Sequence, residues 1–183
     1  MYGGMCTSEY TQSLLNLSES ANKSEGVKLT TIFLGNESLI QRGRNTIAHH
    51  FMNLPDATHL LFIDADIKFR VEDIVKMIQA DKSLIIGPVA LKGYNWDEIR
   101  QAAVNGEDDI GRTGGVFNIN HLPGIDMVNE NEPFEIEHGG NAFMMIRRDV
   151  FETLKPHTPI YTNGGRSFPD GVEIFDYFRV EIN

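Results

Sequence analysis

Apolar residues at Tyr10, Leu14, Leu15 and Leu17 line one face of a helix over Thr7 to Leu17, and Thr7 or Ser8 can cap its start. A polar stretch from Ala21 to Gly26 then gives way to Val27 to Leu34 (VKLTTIFL). That run is β-branched and apolar, and it predicts a strand ending at Gly35. A second helix is expected after Asn36, carrying Leu39, Ile40, Ile47, Ala48, Phe51 and Met52 on one side until Asn53-Leu54-Pro55-Asp56 stops it. His59 to Ile63 follows, with Leu60-Leu61-Phe62-Ile63 uninterrupted, as in a strand covered on both faces of a parallel sheet. Val71, Ile74, Val75 and Ile78 return to helical spacing over Val71 to Ala80. Leu84-Ile85-Ile86-Gly87-Pro88 reads as another short buried strand.

The order αβαβαβ predicts an α/β sandwich with a mixed, mainly parallel central sheet and helices on both faces. Past Ala90 the texture changes to glycines and short β-like pieces at Val116 to Ile119, Phe134 to Ile136 and Ala142 to Ile146, with a short helix near Asp149 to Leu154. This half should be antiparallel or irregular and form a pocket wall. At 183 residues the chain suits one domain. Met1-Tyr2-Gly3-Gly4 resembles the loop after a first strand, and Arg179 to Asn183 stops within strand-like sequence, so a chain trimmed at both ends is expected.

Sixteen basic against 26 acidic residues leave a net charge of -10, which disfavours nucleic acid as a partner. An anionic substrate would need local help from a metal ion or placed arginines. Cys6 is the only cysteine, so no intramolecular disulfide forms and a reducing, cytoplasmic compartment is expected. No stretch has the apolar length of a membrane span or the pattern of a signal peptide.

Asp64 and Asp66 close the apolar strand, at the end of a buried strand where α/β sheets form their ligand crevice. Alternation along an extended segment sends both carboxylates to one side, where they suit Mn2+ or Mg2+ with substrate phosphates completing the shell. Such an ion neutralises an approaching diphosphate and stabilises its departure. For an arbitrary D-x-D, helix capping and a solvated turn are the ordinary explanation. The context of an apolar strand after an arginine-rich helix narrows that.

With THLLFIDADI and QRGRNTIAHHF in view, the chain resembles glycosyltransferases of the GT-A fold. The likeness continues through SLIIGPVALK and EHGGNAFMMIRR, and is nearest to the small transferases with which large algal (chlorella) viruses glycosylate their capsid protein. The resemblance implies that Asp64-Ala65-Asp66 holds the metal and nucleotide diphosphate and that Arg42, Arg44 and Asn45 help build the nucleotide pocket. Tyr2 with Gly3-Gly4 then touches the base, and Gly139-Gly140-Asn141 lines the donor sugar. Residues 1–90 would be the nucleotide-binding half and 91–183 the donor-sugar and acceptor half. Donor and acceptor would be a nucleotide sugar, UDP-linked, and a glycan or glycoprotein hydroxyl, in the host cytoplasm if the protein is viral. The family's first strand is absent, and so is the S-E-D type motif that commonly follows a segment like Ile174 to Phe178.

Each further candidate has an ordinary counterpart. Arg42 and Arg44 can fork onto phosphate oxygens, and one of them is expected only in a surface ion pair. Asn45 can read a uracil edge or bond the local backbone. Gly139-Gly140 admits close approach of a ligand, or is a plain turn. His138 could join the metal or be a packed or surface residue, and His49-His50 is expected to be structural. Tyr94 and Trp96 can stack on a sugar or simply pack. Asp176 is the best visible carboxylate to deprotonate an acceptor. Two rivals stand beside the transferase: a haloacid-dehalogenase-like Mg2+ phosphohydrolase, against which Lys68 counts, and a non-catalytic carbohydrate-binding domain of the same fold.

Overall fold

A computed structural model of the chain describes residues 4–108, 110–124, 132–165 and 168–180. In chain order the elements begin α1 (Ser8–Lys23), α2 (Ile40–Met52), β1 (His59–Ile63), α3 (Val71–Gln79), β2 (Leu84–Ile86) and β3 (Ala90–Tyr94). Then come α4 (Trp96–Asn105), α5 (Ile110–Thr113), β4 (Gly115–Phe117), β5 (Ile119–His121) and β6 (Ile136–Gly139). The chain closes with β7 (Phe143–Arg147), α6 (Arg148–Leu154), a 3-10 turn (Lys155–His157), β8 (Ile160–Gly165) and β9 (Phe168–Phe175). Two compact units result, one of residues 1–85 with 145–183 and one of residues 86–144.

The class is mixed α/β, and the mainly parallel central sheet expected from the alternation is not what forms among the described residues. β1, β7 and β2 hydrogen-bond in that order. Their directions follow from three bonds of 2.9 Å, donated by Arg148 N to Thr58 O, Arg147 N to Ser83 O and Gly87 N to Phe143 O. The middle strand therefore runs antiparallel to both neighbours. The remaining sheets are antiparallel pairs, β3 with β4, β5 with β6 and β8 with β9.

Burial explains a second correction. β1 alternates, with Leu60 and Phe62 buried and its other residues half-buried, so only one face is fully covered. The strand enclosed on both faces is β7, where Phe143, Met144, Met145 and Ile146 are all buried. A central position in the sheet, rather than parallel pairing, produces its continuous apolar run.

Val27 to Leu34 forms no strand. Strand propensity becomes structure only where a neighbour completes the ladder and a core covers one face. Among the described residues the segment joins no sheet; Val27, Leu29 and Phe33 are 52%, 40% and 55% exposed, and only Ile32 and Leu34 are half-buried. The helix α4 is an addition to the expected elements. Asn95 caps it by accepting from Glu98 N, and Gly106 ends it in the left-handed conformation at φ 73°.

In the first unit Arg148 ties the end of α2 to the loop that leads into β1. Its guanidinium donates to the carbonyls of Phe51, Met52, Leu54 and Ala57 and lies over the Phe51 ring at 4.6 Å. These are carbonyls that a helix end and its exit loop leave without intrahelical partners. No helix among the described residues is long and apolar enough to cross a membrane.

Candidate functional site

β1 delivers the acidic pair into a turn, not into an extended segment. Ile67 N donates to Asp64 O at 3.0 Å, closing the turn over Asp64-Ala65-Asp66-Ile67. The expectation that strand alternation aims both carboxylates one way is thereby corrected, because pairing stops at Ile63 and the chain must bend towards α3. The turn keeps the acids close by another route: the charge of Asp66 bears on the Asp64 carboxyl. Both side chains are exposed, that of Asp64 by 51%.

Asp64 is held above the usual carboxylate pKa by partial burial first. The nearby Arg44 guanidinium pulls it back down, and the like charge of Asp66 pushes it up. Arg44 reaches Asp64 Oδ1 at 3.4 Å with its own side chain only 7% exposed, and it lies over the Phe62 ring at 5.0 Å. Burial pulls the guanidinium below its ordinary pKa while Asp64 pushes it up. A buried arginine beside a half-exposed aspartate fixes a positive charge at the strand's end.

The rest of the R-x-R-N segment is divided among other partners. Arg42 forks onto Glu37, with Nε to Oε2 and Nη2 to Oε1 both at 2.8 Å. Glu37 in turn is held below the usual carboxylate range, chiefly by that pairing. Asn45, 1% exposed, donates to Asp176 Oδ1 at 2.6 Å and accepts from Phe178 N at 3.0 Å. Thr46 accepts from Asn163 Nδ2 at 2.8 Å. The structure thus brings Arg44 and Asp64 together, and Asn45 and Asp176 together.

His138, Gly139, Gly140 and Asn141 belong to the second unit. His138 is exposed, its ring N–H donating to the carbonyl of Glu137 at 2.6 Å. The glycines make room for side chains of the protein itself. A Cβ on Gly139 would stand 1.9 Å from Ile86 Cδ1, and one on Gly140 1.7 Å from Asn118 Nδ2. Asn141 is exposed in the bend after β6. Tyr94 and Trp96 are 65% and 66% exposed, their rings 5.7 Å apart. In the first unit His49 and His50 pack against Phe168 at 5.5 and 5.4 Å. Tyr2 lies outside the described residues.

Sequence reasoning passed over Glu37, Ser13, Asn118 and Asn163. Ser13, Asn118 and Asn163 are common polar residues whose partners lie far away in the chain, and only the Glu37–Arg42 spacing is local. Among the described residues no group of three or more His, Cys, Asp or Glu could hold a metal. The pair of exposed carboxylates fits a hard cation that takes one or two protein oxygens and fills its shell with water and phosphate, as Mg2+ does. It does not fit a cation that needs an all-protein cage. No protein-family model, curated protein or solved structure matches the chain.

Proposed function

We propose that the chain is a metal-dependent glycosyltransferase domain of GT-A type, moving a hexose-type sugar from a nucleotide sugar, UDP-linked, to a hydroxyl of a glycan or glycoprotein. The observation that carries this is the exposed acidic turn with a buried arginine at its base. Two carboxylates face solvent where a cation can reach them, and Arg44 stands behind them as a permanent positive charge. On a chain of net charge -10, a diphosphate needs both. Bound there, Mn2+ or Mg2+ would supply charge neutralisation for the departing diphosphate.

In the reaction the acceptor oxygen forms a bond to the anomeric carbon. The bond from that carbon to the diphosphate oxygen breaks, and its electron pair leaves with the nucleotide diphosphate. The acceptor proton passes to a carboxylate, for which Asp176 is the candidate in this chain. Asn45 holds one of its oxygens, which fixes the plane of the carboxyl.

A thermal-shift panel of nucleotide sugars with Mn2+ tests the reading, since a ligand bound only by the folded state raises the melting temperature. A rise with UDP-sugars that needs Mn2+ and disappears in Asp66→Ala is the expected result. Absence of any such rise, or rapid release of phosphate from a phosphate ester with Mg2+, would replace the transferase with another activity. Binding without slow hydrolysis of the sugar donor would leave a carbohydrate-binding domain.

A further inference from the structure

We propose that α1 is a positioning element for the acidic turn, and that Ser13 holds the chain around Asp64 and Asp66 in the arrangement that takes the cation; the inference rests on the function proposed above. Thr7, Tyr10 and Ser13 lie three residues apart and so share one face of the helix. Each meets the segment that carries or follows the acids. Thr7 N donates to Ala65 O at 2.9 Å, on the residue between the two aspartates. Tyr10 meets the Phe69 ring edge-on, with centroids 6.1 Å apart and planes at 69°. Phe69 N donates to Ser13 Oγ at 3.1 Å, a bond buried from solvent.

Ser13 is 4% exposed inside a helix, where apolar packing alone would favour alanine. Its hydroxyl supplies the acceptor that the buried Phe69 amide needs. Ser13 and Phe69 also line a half-open cleft of about 400 Å³ between α1 and residues 68–72, together with Gln12, Asn16, Lys68 and Glu72. The three contacts tie the start of α1 to residues 65–69. Without the Ser13 acceptor the buried Phe69 amide loses its partner, which loosens the short segment that runs from Asp66 to α3 and, with it, the seat of the acidic turn.

The test compares the full chain with Ser13→Ala and Ser13→Thr, using Mn2+ alone as the ligand and the resonance of the free aqueous ion to read binding. Ser13→Ala is expected to weaken binding by on the order of 10-fold, the low end of what losing a direct hydrogen bond to a metal ligand costs, because Ser13 acts on the acids only through the backbone. Ser13→Thr keeps the hydroxyl, has the cleft for its extra methyl, and should restore affinity. In the metal-free protein, amide exchange should quicken at residues 65–69 in Ser13→Ala while amides of α2 and of the β8–β9 pair keep their rates. Unchanged affinity in Ser13→Ala, or exchange that quickens everywhere alike, would overturn the positioning role. A wild-type chain that holds no Mn2+ would overturn the proposed function instead, while local exchange would still show whether Ser13 holds the turn.

Discussion

The segment Arg42-Gly43-Arg44-Asn45-Thr46 sends each polar side chain to a different place: to Glu37, to Asp64, to Asp176 with the Phe178 amide, and to Asn163. Of these, Asn45 has most to lose. Asn45→Ala leaves a part-buried amide and a carboxylate oxygen without their partner, and should cost about 1–3 kcal/mol in urea unfolding. A double-mutant cycle with Asp176→Ala should return a coupling of about 1 kcal/mol or more. The acidic turn carries a pH dependence of its own. Asp64 in the folded chain has a raised pKa, so the folded state holds that proton more tightly than the unfolded one, and the group's contribution to stability grows as pH falls. A cation must displace the proton. Mn2+ affinity should therefore fall as pH drops through a range above the usual carboxylate value, with proton release visible by calorimetry in two buffers. Arg44→Met removes the charge that lowers the Asp64 pKa and should move that loss to higher pH. The arginines and acids were legible as types in the sequence; their division of labour was not, because a guanidinium suits phosphate and carboxylate equally.

Among the elements, the helices were read well and the sheet poorly. The positions of α1, α2 and α3 and the Thr7 cap follow from spacing within one segment, but their buried faces do not. α1 runs on to Lys23, and Leu15, Leu39, Ile40, Val75 and Ile78, expected on apolar faces, are exposed while Ser13, Arg44, Asn45 and Thr46 are buried. β7 became the central strand through partners far away in sequence, and Val27 to Leu34 has the composition of a strand but joins no sheet among the described residues. α4 was legible after the fact in Asn95, Glu98 and Gly106, but its single buried residue, Ala102, gave little apolar pattern. Arg148 offers a test at this scale. Arg148→Leu strips the end of α2 and its exit loop of a charged donor to several carbonyls, and should cost about 3 kcal/mol in thermal or urea unfolding. In the second unit, Gly140→Ala should cost about 1–3 kcal/mol, since its methyl group collides with the Asn118 amide that also accepts from Val89 N. Most of that cost should vanish in an Asn118→Ala background, where the space is open.

For the molecule as a whole, the order of elements gave the α/β class, while the two compact units and the antiparallel middle strand came from long-range pairing. The acidic pair and the R-x-R-N segment were the parts of the candidate site visible as motifs, whereas the bond from the Phe69 amide to Ser13 beside the turn was not, because a serine within a helix announces nothing. Mn2+ titration of the full chain in the presence of UDP, read by electron paramagnetic resonance, addresses the central claim most directly. The account predicts a saturable site that is lost in the Asp64→Asn, Asp66→Asn double variant while the melting temperature of the metal-free protein is kept. Equal binding by the folded double variant, or no binding by the wild-type chain, would contradict it.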